Sequence, residues 1–244
     1  MPSGTARHVQ VLRLQPENEI TLFNGQGGEF NAVITHMGRS DVSVRVVEQH
    51  HIERELNIRV NLWSGITANE RMDWLVEKAT ELGAATLLPL TAERSVLKLK
   101  GDRAEKKLAH WQAVAVASSE QCGRNRVLQV CSPCTLAQAI AQLSPEQLHR
   151  PRWILSLSEG TQSLQAMMQA LKKRQLDGLL ERQVGHQVDG PLEVTLLSGP
   201  EGGLSPSEEA QAIAAGFLPV SLGNRVLRAE TAPVAVLSAL GCWV

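Results

Sequence analysis

The chain has no apolar run long enough to span a bilayer, so no transmembrane helix is expected. Its opening residues, MPSGTARHVQ, lack the apolar stretch of a secretory signal. Cysteine is scarce: four in 244 residues, Cys122, Cys131, Cys134 and Cys242, irregularly spaced. That argues against a disulfide framework and for free thiols in a reducing compartment such as the cytoplasm. An excess of one charge is missing too. The 24 Lys and Arg nearly balance 25 Asp and Glu, leaving a net −1 and no whole-protein basic field that would imply nucleic acid. Internal repeats and low-complexity tracts are also absent.

What remains is a chain with an ordinary 43% of hydrophobic residues, enough for one large domain or two smaller ones with a sizeable core. Its charge is uneven. Residues 91–126 hold eight basic side chains (Arg94, Lys98, Lys100, Arg103, Lys106, Lys107, Arg124, Arg126) against four acids. A local basic patch suits a nucleic-acid contact, although a solvated helix face is the commoner meaning of such a run.

The first fifty residues read as β-structure. EITLFNGQGGEFNAVI places two apolar runs around Asn24-Gly25, a hairpin signal. DVSVRVVEQ alternates Val42, Val44 and Val46 with polar residues, as a half-buried strand does. Strands and glycine turns without helices suggest a small barrel or sandwich over residues 1–55. From residue 56 to 244 strands alternate with helices, which argues for an α/β domain on a parallel sheet. Strands are expected at 56–63, 85–90, 153–157, 192–197 and 217–222. Helices are expected from Asn69 as cap to Gly83, from Asp102 with Glu105 at capping-box spacing, over 163–175, and from Ser205.

Ligands of open parallel sheets sit beyond the carboxyl ends of the strands. Two unusual loops fall there: SGPEGGL after 192–197 and GNRVLRAE after 217–222. The first fails as a phosphate loop. Leu204 stands where a Walker pattern needs Lys, the glycine spacing does not fit a dinucleotide fingerprint, and Pro200 removes an amide donor. The helix behind it carries its own capping box, Ser205 and Glu208, with Pro206 in the first turn. Such a loop suits a ligand read through backbone groups, such as an adenine or an amino-acid moiety. The short connection between the strands suggests that both loops converge on one site. In the second loop, Arg225 and Arg228 suit phosphate contacts in a polynucleotide, the alternative being that one of them simply pairs with Glu230.

These two segments, GPEGGLSPSE and LGNRVLRAETA, resemble the C-terminal motifs of the RsmE family of 16S ribosomal RNA (uracil-N3)-methyltransferases. ERS at 93–95, EQCGRN at 120–125, the helix ERMDWLVEKATELG and RHVQVLRL at 7–14 resemble further segments of that family, so the likeness covers nearly the whole chain. Ala229 and Asn69 depart from its usual Thr and Gly. The resemblance implies a SPOUT methyltransferase: a PUA-like β-barrel, then an α/β domain with a C-terminal trefoil knot, acting as a homodimer on 16S rRNA with S-adenosylmethionine. By motif, Leu157, Gly199, Gly202, Gly203, Leu222, Gly223 and Leu227 would form the donor pocket. Arg7, Arg13, Arg94, Arg124, Asn125 and Arg225 would face RNA.

Uridine N3 is a poor nucleophile until its proton leaves, so the site needs a base, or donors to the uracil oxygens. Glu201 and Glu230 are the nearby acids and Arg228 the nearby donor; these three are the catalytic candidates. No metal is required by a sulfonium donor. A thiol–disulfide site at Cys131 and Cys134, ahead of a helix, finds no thioredoxin-like unit around it. Zinc would need a second ligand pair. Trp111 and the Met167-Met168 pair read as core. Two other readings stand beside the methyltransferase: a non-catalytic RNA-binding protein of the same fold, and a small-molecule enzyme holding a nucleotide cofactor. The intact donor loops oppose the first and the missing phosphate fingerprints oppose the second.

Overall fold

The computed structural model describes residues 1, 3–39, 41–97, 99, 101–183 and 192–242. Lys98 and Lys100 of the basic run lie outside them, as does the Asn69 side chain. Among the described residues, no helix is long and apolar enough to cross a membrane. The chain divides into two compact units: Met1–Glu55 with Gly123–Val127, and Leu56–Cys122 with Leu128–Val244.

In the first unit, helix α1 (Ser3–Val11) precedes an antiparallel sheet ordered β1 (Glu19–Leu22), β2 (Glu29–Met37), β3 (Val42–His50). The reading of the first fifty residues as β-structure alone is corrected at α1. Ala6 and Val9, three apart on α1, share its buried face and pack with Ile34 and Val42. The hairpin is also looser than a two-residue turn. Residues 23–28 separate β1 from β2, and Gly25 and Gln26 bridge to Arg126. The returning segment is tied in by backbone bonds from Gly27 N to Asn125 O (3.2 Å) and Val127 N to Gly25 O (3.2 Å).

The second unit is built on seven strands: β4 (Ile58–Gly65), β5 (Thr86–Leu90), β6 (Gln129–Val130), β7 (Arg152–Leu155), β8 (Gln162–Ser163), β9 (Leu192–Ser198) and β10 (Leu218–Ser221). They run parallel in the order β6-β5-β4-β9-β7-β10-β8. β4 and β9 are buried along nearly their whole length, as strands covered on both faces are. Helix α2 (Asn69–Glu81) buries Met72, Leu75, Val76 and Ala79 on one face. α3 (Asp102–Cys122), α4 (Leu136–Ala141), α5 (Pro145–Leu148), α6 (Leu164–Gln183), α7 (Pro206–Ala214) and α8 (Thr231–Gly241) complete the unit. Under the carboxyl ends of the strands, Trp63 and Phe217 meet with ring centroids 5.5 Å apart, in one apolar cluster with Leu90, Leu136, Ile154 and Leu197.

Two expected helix starts move by one residue. Ala68, not Asn69, occupies the cap position of α2 and supplies no side-chain bond. Asp102 is already helical, since Gly101 O accepts the first bond, from Glu105 N (3.3 Å). The start of α7 is as expected: Ser205 Oγ accepts from Glu208 N, and Glu208 Oε2 accepts from Ser205 N (2.9 Å). One expectation about topology is refined. β9 and β10 do not neighbour each other; β7 lies between them. Because all three are parallel, three loops rather than two leave the same edge of the sheet.

Candidate functional site

Those three loops enclose a cavity of about 520 Å³, within the roughly 300–1,000 Å³ typical of small-molecule sites. Ser156, Leu157 and Ser158 come from the end of β7, residues 198–204 from the end of β9, and Leu222, Arg225, Val226, Leu227 and Ala229 from the end of β10. Apolar side chains (Ile154, Leu157, Leu204, Val220, Leu222, Leu227) form much of the wall. Charged side chains enter at four points, Arg94, Arg225, Glu201 and Glu209, beside the hydroxyls of Ser156, Ser158 and Ser198.

The glycine loop is packed too closely for side chains. A Cβ on Gly199 would lie 2.8 Å from Leu204 N, and one on Gly202 would lie 3.0 Å from Arg94 Cβ. A Cβ on Gly65, the last residue of β4, would collide with the backbone of Pro200. Gly203 has φ +70° and closes a turn from its N–H to Pro200 O (2.8 Å). The loop thus shows the cavity its bare backbone. It is not an anion cradle. Pro200 brings no N–H, nor does Pro206 at the start of α7, and the capping box holds Ser205 N and Glu208 N. Glu208 is buried and also serves a second segment. Its Oε1 accepts from Glu93 N (3.0 Å), which fixes the turn that carries Arg94. Arg94 in turn donates from Nη1 to Gly202 O (3.2 Å) and Leu204 O (3.3 Å).

Glu201 is held, not free. Its Oε1 accepts from Ala68 N (2.9 Å) and from Arg71 Nη1 (3.1 Å). Thus the carboxylate, supplied from across the sheet, provides the acceptor that the start of α2 lacks in its own sequence. Arg71 Nε also lies 3.8 Å from Glu230 Oε1. Glu230, at the cap position of α8, makes no side-chain cap bond. The remaining oxygens, Glu201 Oε2 and Glu230 Oε2, are both buried without a hydrogen-bond partner among the described residues.

The expected pocket residues Leu157, Gly199, Gly202, Gly203, Leu222 and Leu227 all line the cavity, and so do Glu201, Arg94 and Arg225. Gly223 is not in the lining; with φ +100° it turns the chain just beyond Leu222. Arg228 and Glu230 stand at the start of α8 outside the lining, and Arg228 O accepts from Thr231 N (3.0 Å) and Ala232 N (3.0 Å). Arg7 and Arg13 are exposed on the first unit. For Arg124 and Asn125 the expectation of an RNA-facing surface is corrected, because both are buried in that unit. Arg124 Nε donates to Glu55 Oε1 (2.7 Å) and Asn125 Nδ2 to Ile52 O (2.8 Å), so they clasp the 123–127 segment to the polar stretch 52–55.

Sequence reasoning missed Arg71, Gly65 and a group on the other side of the cavity, where Ser156 and Ser158 both donate to Glu209, the latter at 3.0 Å. Arg71 and Gly65 had no local signal: each acts on a residue more than a hundred positions away. Ser156 and Ser158 flank Leu157 and were open to notice for that reason. Cys131 and Cys134 are half-buried, and burial raises both thiols above their usual range, Cys134 further through Cys131. That is the reverse of an activated thiol. The helix after them is capped by Thr135, with Gln138 completing the box. Trp111 and Met167 are core residues.

Comparison with known proteins agrees with this geometry. Residues 54–241 match a family described as RNA methyltransferase domain, and residues 4–47 one described as RNA methyltransferase PUA domain. The chain is 29% identical to the ribosomal RNA small subunit methyltransferase E of Bacillus subtilis, covering 95% of this chain and 84% of that protein. It is 31% identical to the Synechocystis protein of the same name, covering 94% and 67%. Among solved structures it resembles ribosomal RNA small subunit methyltransferase E from Neisseria gonorrhoeae bound to S-adenosyl methionine, with a TM-score of 0.81 at 31% identity over 98% of this chain and 89% of that one. A putative methyltransferase from Legionella pneumophila with bound SAM gives 0.82 at 32% identity, with the same coverage.

Proposed function

The chain belongs to the RNA methyltransferase family matched by residues 54–241, and we propose that it transfers a methyl group from S-adenosylmethionine to N3 of one uridine in the 16S RNA of the small ribosomal subunit. The observation that carries this reading is the cavity where the two motif loops and the loop after β7 meet. Its residues suit the donor. Leu157, Leu222 and Leu227 offer apolar surface for an adenine, and the uncovered backbone of residues 199–203 offers carbonyls and amides for the polar edge of the ligand. When bound, S-adenosylmethionine supplies a methyl group already activated by its sulfonium.

The protein's part is to place and deprotonate the base. Arg94 and Arg225, at the cavity, hold the RNA, and the exposed Arg7 and Arg13 of the PUA-like unit bind phosphates. The proton leaving N3 passes to a carboxylate that is anchored by one oxygen and has no hydrogen-bond partner at the other. Glu201 lines the cavity and has this form; Glu230, outside the lining, has one oxygen 3.8 Å from Arg71 and the other without a partner among the described residues. Arg228 donates to the uracil oxygen on which charge builds. The reading also includes residues 1–55 as the RNA-binding PUA-like barrel, residues 56–244 as the SPOUT domain with its C-terminal trefoil knot, a homodimer and a cytoplasmic setting.

The test uses small ribosomal subunits from cells without this methyl group. After incubation with the protein and S-adenosylmethionine, reverse transcription should stop at one uridine, since an N3 methyl blocks the pairing edge. Donor binding with no stop anywhere would leave the non-catalytic RNA-binding reading in its place.

A further inference from the structure

Two carboxylates, Glu201 and Glu230, come from the two loops that form facing parts of the cavity, and one guanidinium lies between them. Arg71 Nη1 is 3.1 Å from Glu201 Oε1 and Arg71 Nε is 3.8 Å from Glu230 Oε1. The acid side chains are only 20% and 11% exposed, against 42% for the arginine. Each acid leaves one buried oxygen without a partner among the described residues. The cluster therefore holds more negative than positive charge in a place that water reaches poorly. Two like charges so placed repel each other strongly unless a cation lies between them.

We infer that Arg71 is a positioning residue for the donor site: it holds the glycine loop (199–204) and the β10–α8 connection (222–230) against each other and so keeps the cavity closed to the width the donor needs. This rests on the donor reading above. The fork of the guanidinium matters, because Nη1 serves one loop and Nε the other. Glu201 Oε1 also caps α2 through Ala68 N, so the same contact fixes the helix that delivers Arg71. Without the arginine, the cheapest relief of the repulsion is for the two loops to separate.

Calorimetry with S-adenosylmethionine on wild type, Arg71→Gln, Arg71→Lys, Glu230→Gln and the double variant Arg71→Gln/Glu230→Gln tests this. Arg71→Gln should weaken donor binding about tenfold or more, while the unliganded protein melts within a few degrees of wild type. Arg71→Lys, which keeps charge but not the fork, should fall between. The double variant should regain most of the affinity, because removing one acid removes the repulsion; a purely structural role for Arg71 predicts no such rescue. Wild-type affinity in Arg71→Gln, or no recovery in the double variant relative to the single, overturns the inference. If Arg71→Gln does not fold, the lysine variant decides, and wild-type affinity there overturns it. If wild type itself binds no donor, the functional reading falls first and this inference with it.

Discussion

The two long walls of the cavity are built to opposite standards. The glycine loop is fastened at several of its polar groups. Arg94 binds two of its carbonyls, Glu201 is bound to Arg71 and Ala68, and Ser205 and Glu208 close its exit while Glu208 reaches back to Glu93. The β10–α8 loop has far less holding it. Gly223 N donates to Ser221 Oγ (3.2 Å), Arg228 O starts α8, and in between Arg225 is exposed and Val226 is 77% exposed. A wall fixed by its own hydrogen bonds can read a ligand through backbone geometry, since it loses no order on binding. A wall with few internal bonds can adjust to a large, variable partner. The first suits a small donor and the second suits RNA.

Substitutions can break this contrast or sharpen it. The largest effect is expected from Gly65→Ala, which drives a methyl into the backbone of Pro200. Both groups are main chain, so relief requires the strand or the loop to move. A loss of about 3 kcal/mol in urea unfolding is expected, with donor binding lost in calorimetry. A variant with wild-type stability would show that the fixed wall is not fixed. Next is Glu208→Ala, which strips the acceptor from two backbone amides, Ser205 N and Glu93 N. It should cost about 2 kcal/mol and weaken the donor less than Gly65→Ala does.

The pair Arg94→Ala and Arg225→Ala then sets wall against wall. Arg94 is solvent-exposed but fastened to two carbonyls, so its loss should cost about 0.5–1 kcal/mol of stability and also reduce donor affinity. Arg225→Ala should stay within about 0.5 kcal/mol of wild type. It should instead lower the slope of log affinity against log salt for RNA by about one. Equal stability losses from both would erase the distinction. The smallest effect concerns the thiols. Because burial raises Cys131 and Cys134, less of each is thiolate at neutral pH than for a free cysteine, and alkylation should be slow there and quicken only as pH rises. Rapid labelling of both at neutral pH would contradict their burial.

Much of this was legible in the sequence, and the failures share a cause. The α/β pattern, the capping box at Ser205 and Glu208 and the approximate strand positions follow from periodicity and local chemistry, which a sequence displays directly. The identities of the cavity glycines and leucines followed from motif likeness. What escaped were contacts between distant segments. Ala68 has no cap in its own helix because Glu201 supplies one. β7 enters between β9 and β10 with no trace in the chain between those two. Arg124 and Asn125 look like surface groups by residue type, yet Glu55 and Ile52 give them buried partners. The missed helix α1 is of another kind. Only two of its apolar residues, Ala6 and Val9, face the core, and two points do not define a period.

β4, in the interior of the sheet, pairs with β9, and four strands, β5 to β8, intervene in the chain. During folding β4 can pair with β5 early, but its other edge must wait for a segment far downstream. An apolar strand with one edge open is an invitation to pair with the wrong chain. Closure of β4 on β9 brings the glycine loop into place directly behind it, against Gly65. The cavity is therefore completed only with the pairing most distant in sequence in the sheet. Ligand capture, followed during refolding, would time the end of folding itself, and a chain stalled before that step would bury its helices yet capture no ligand.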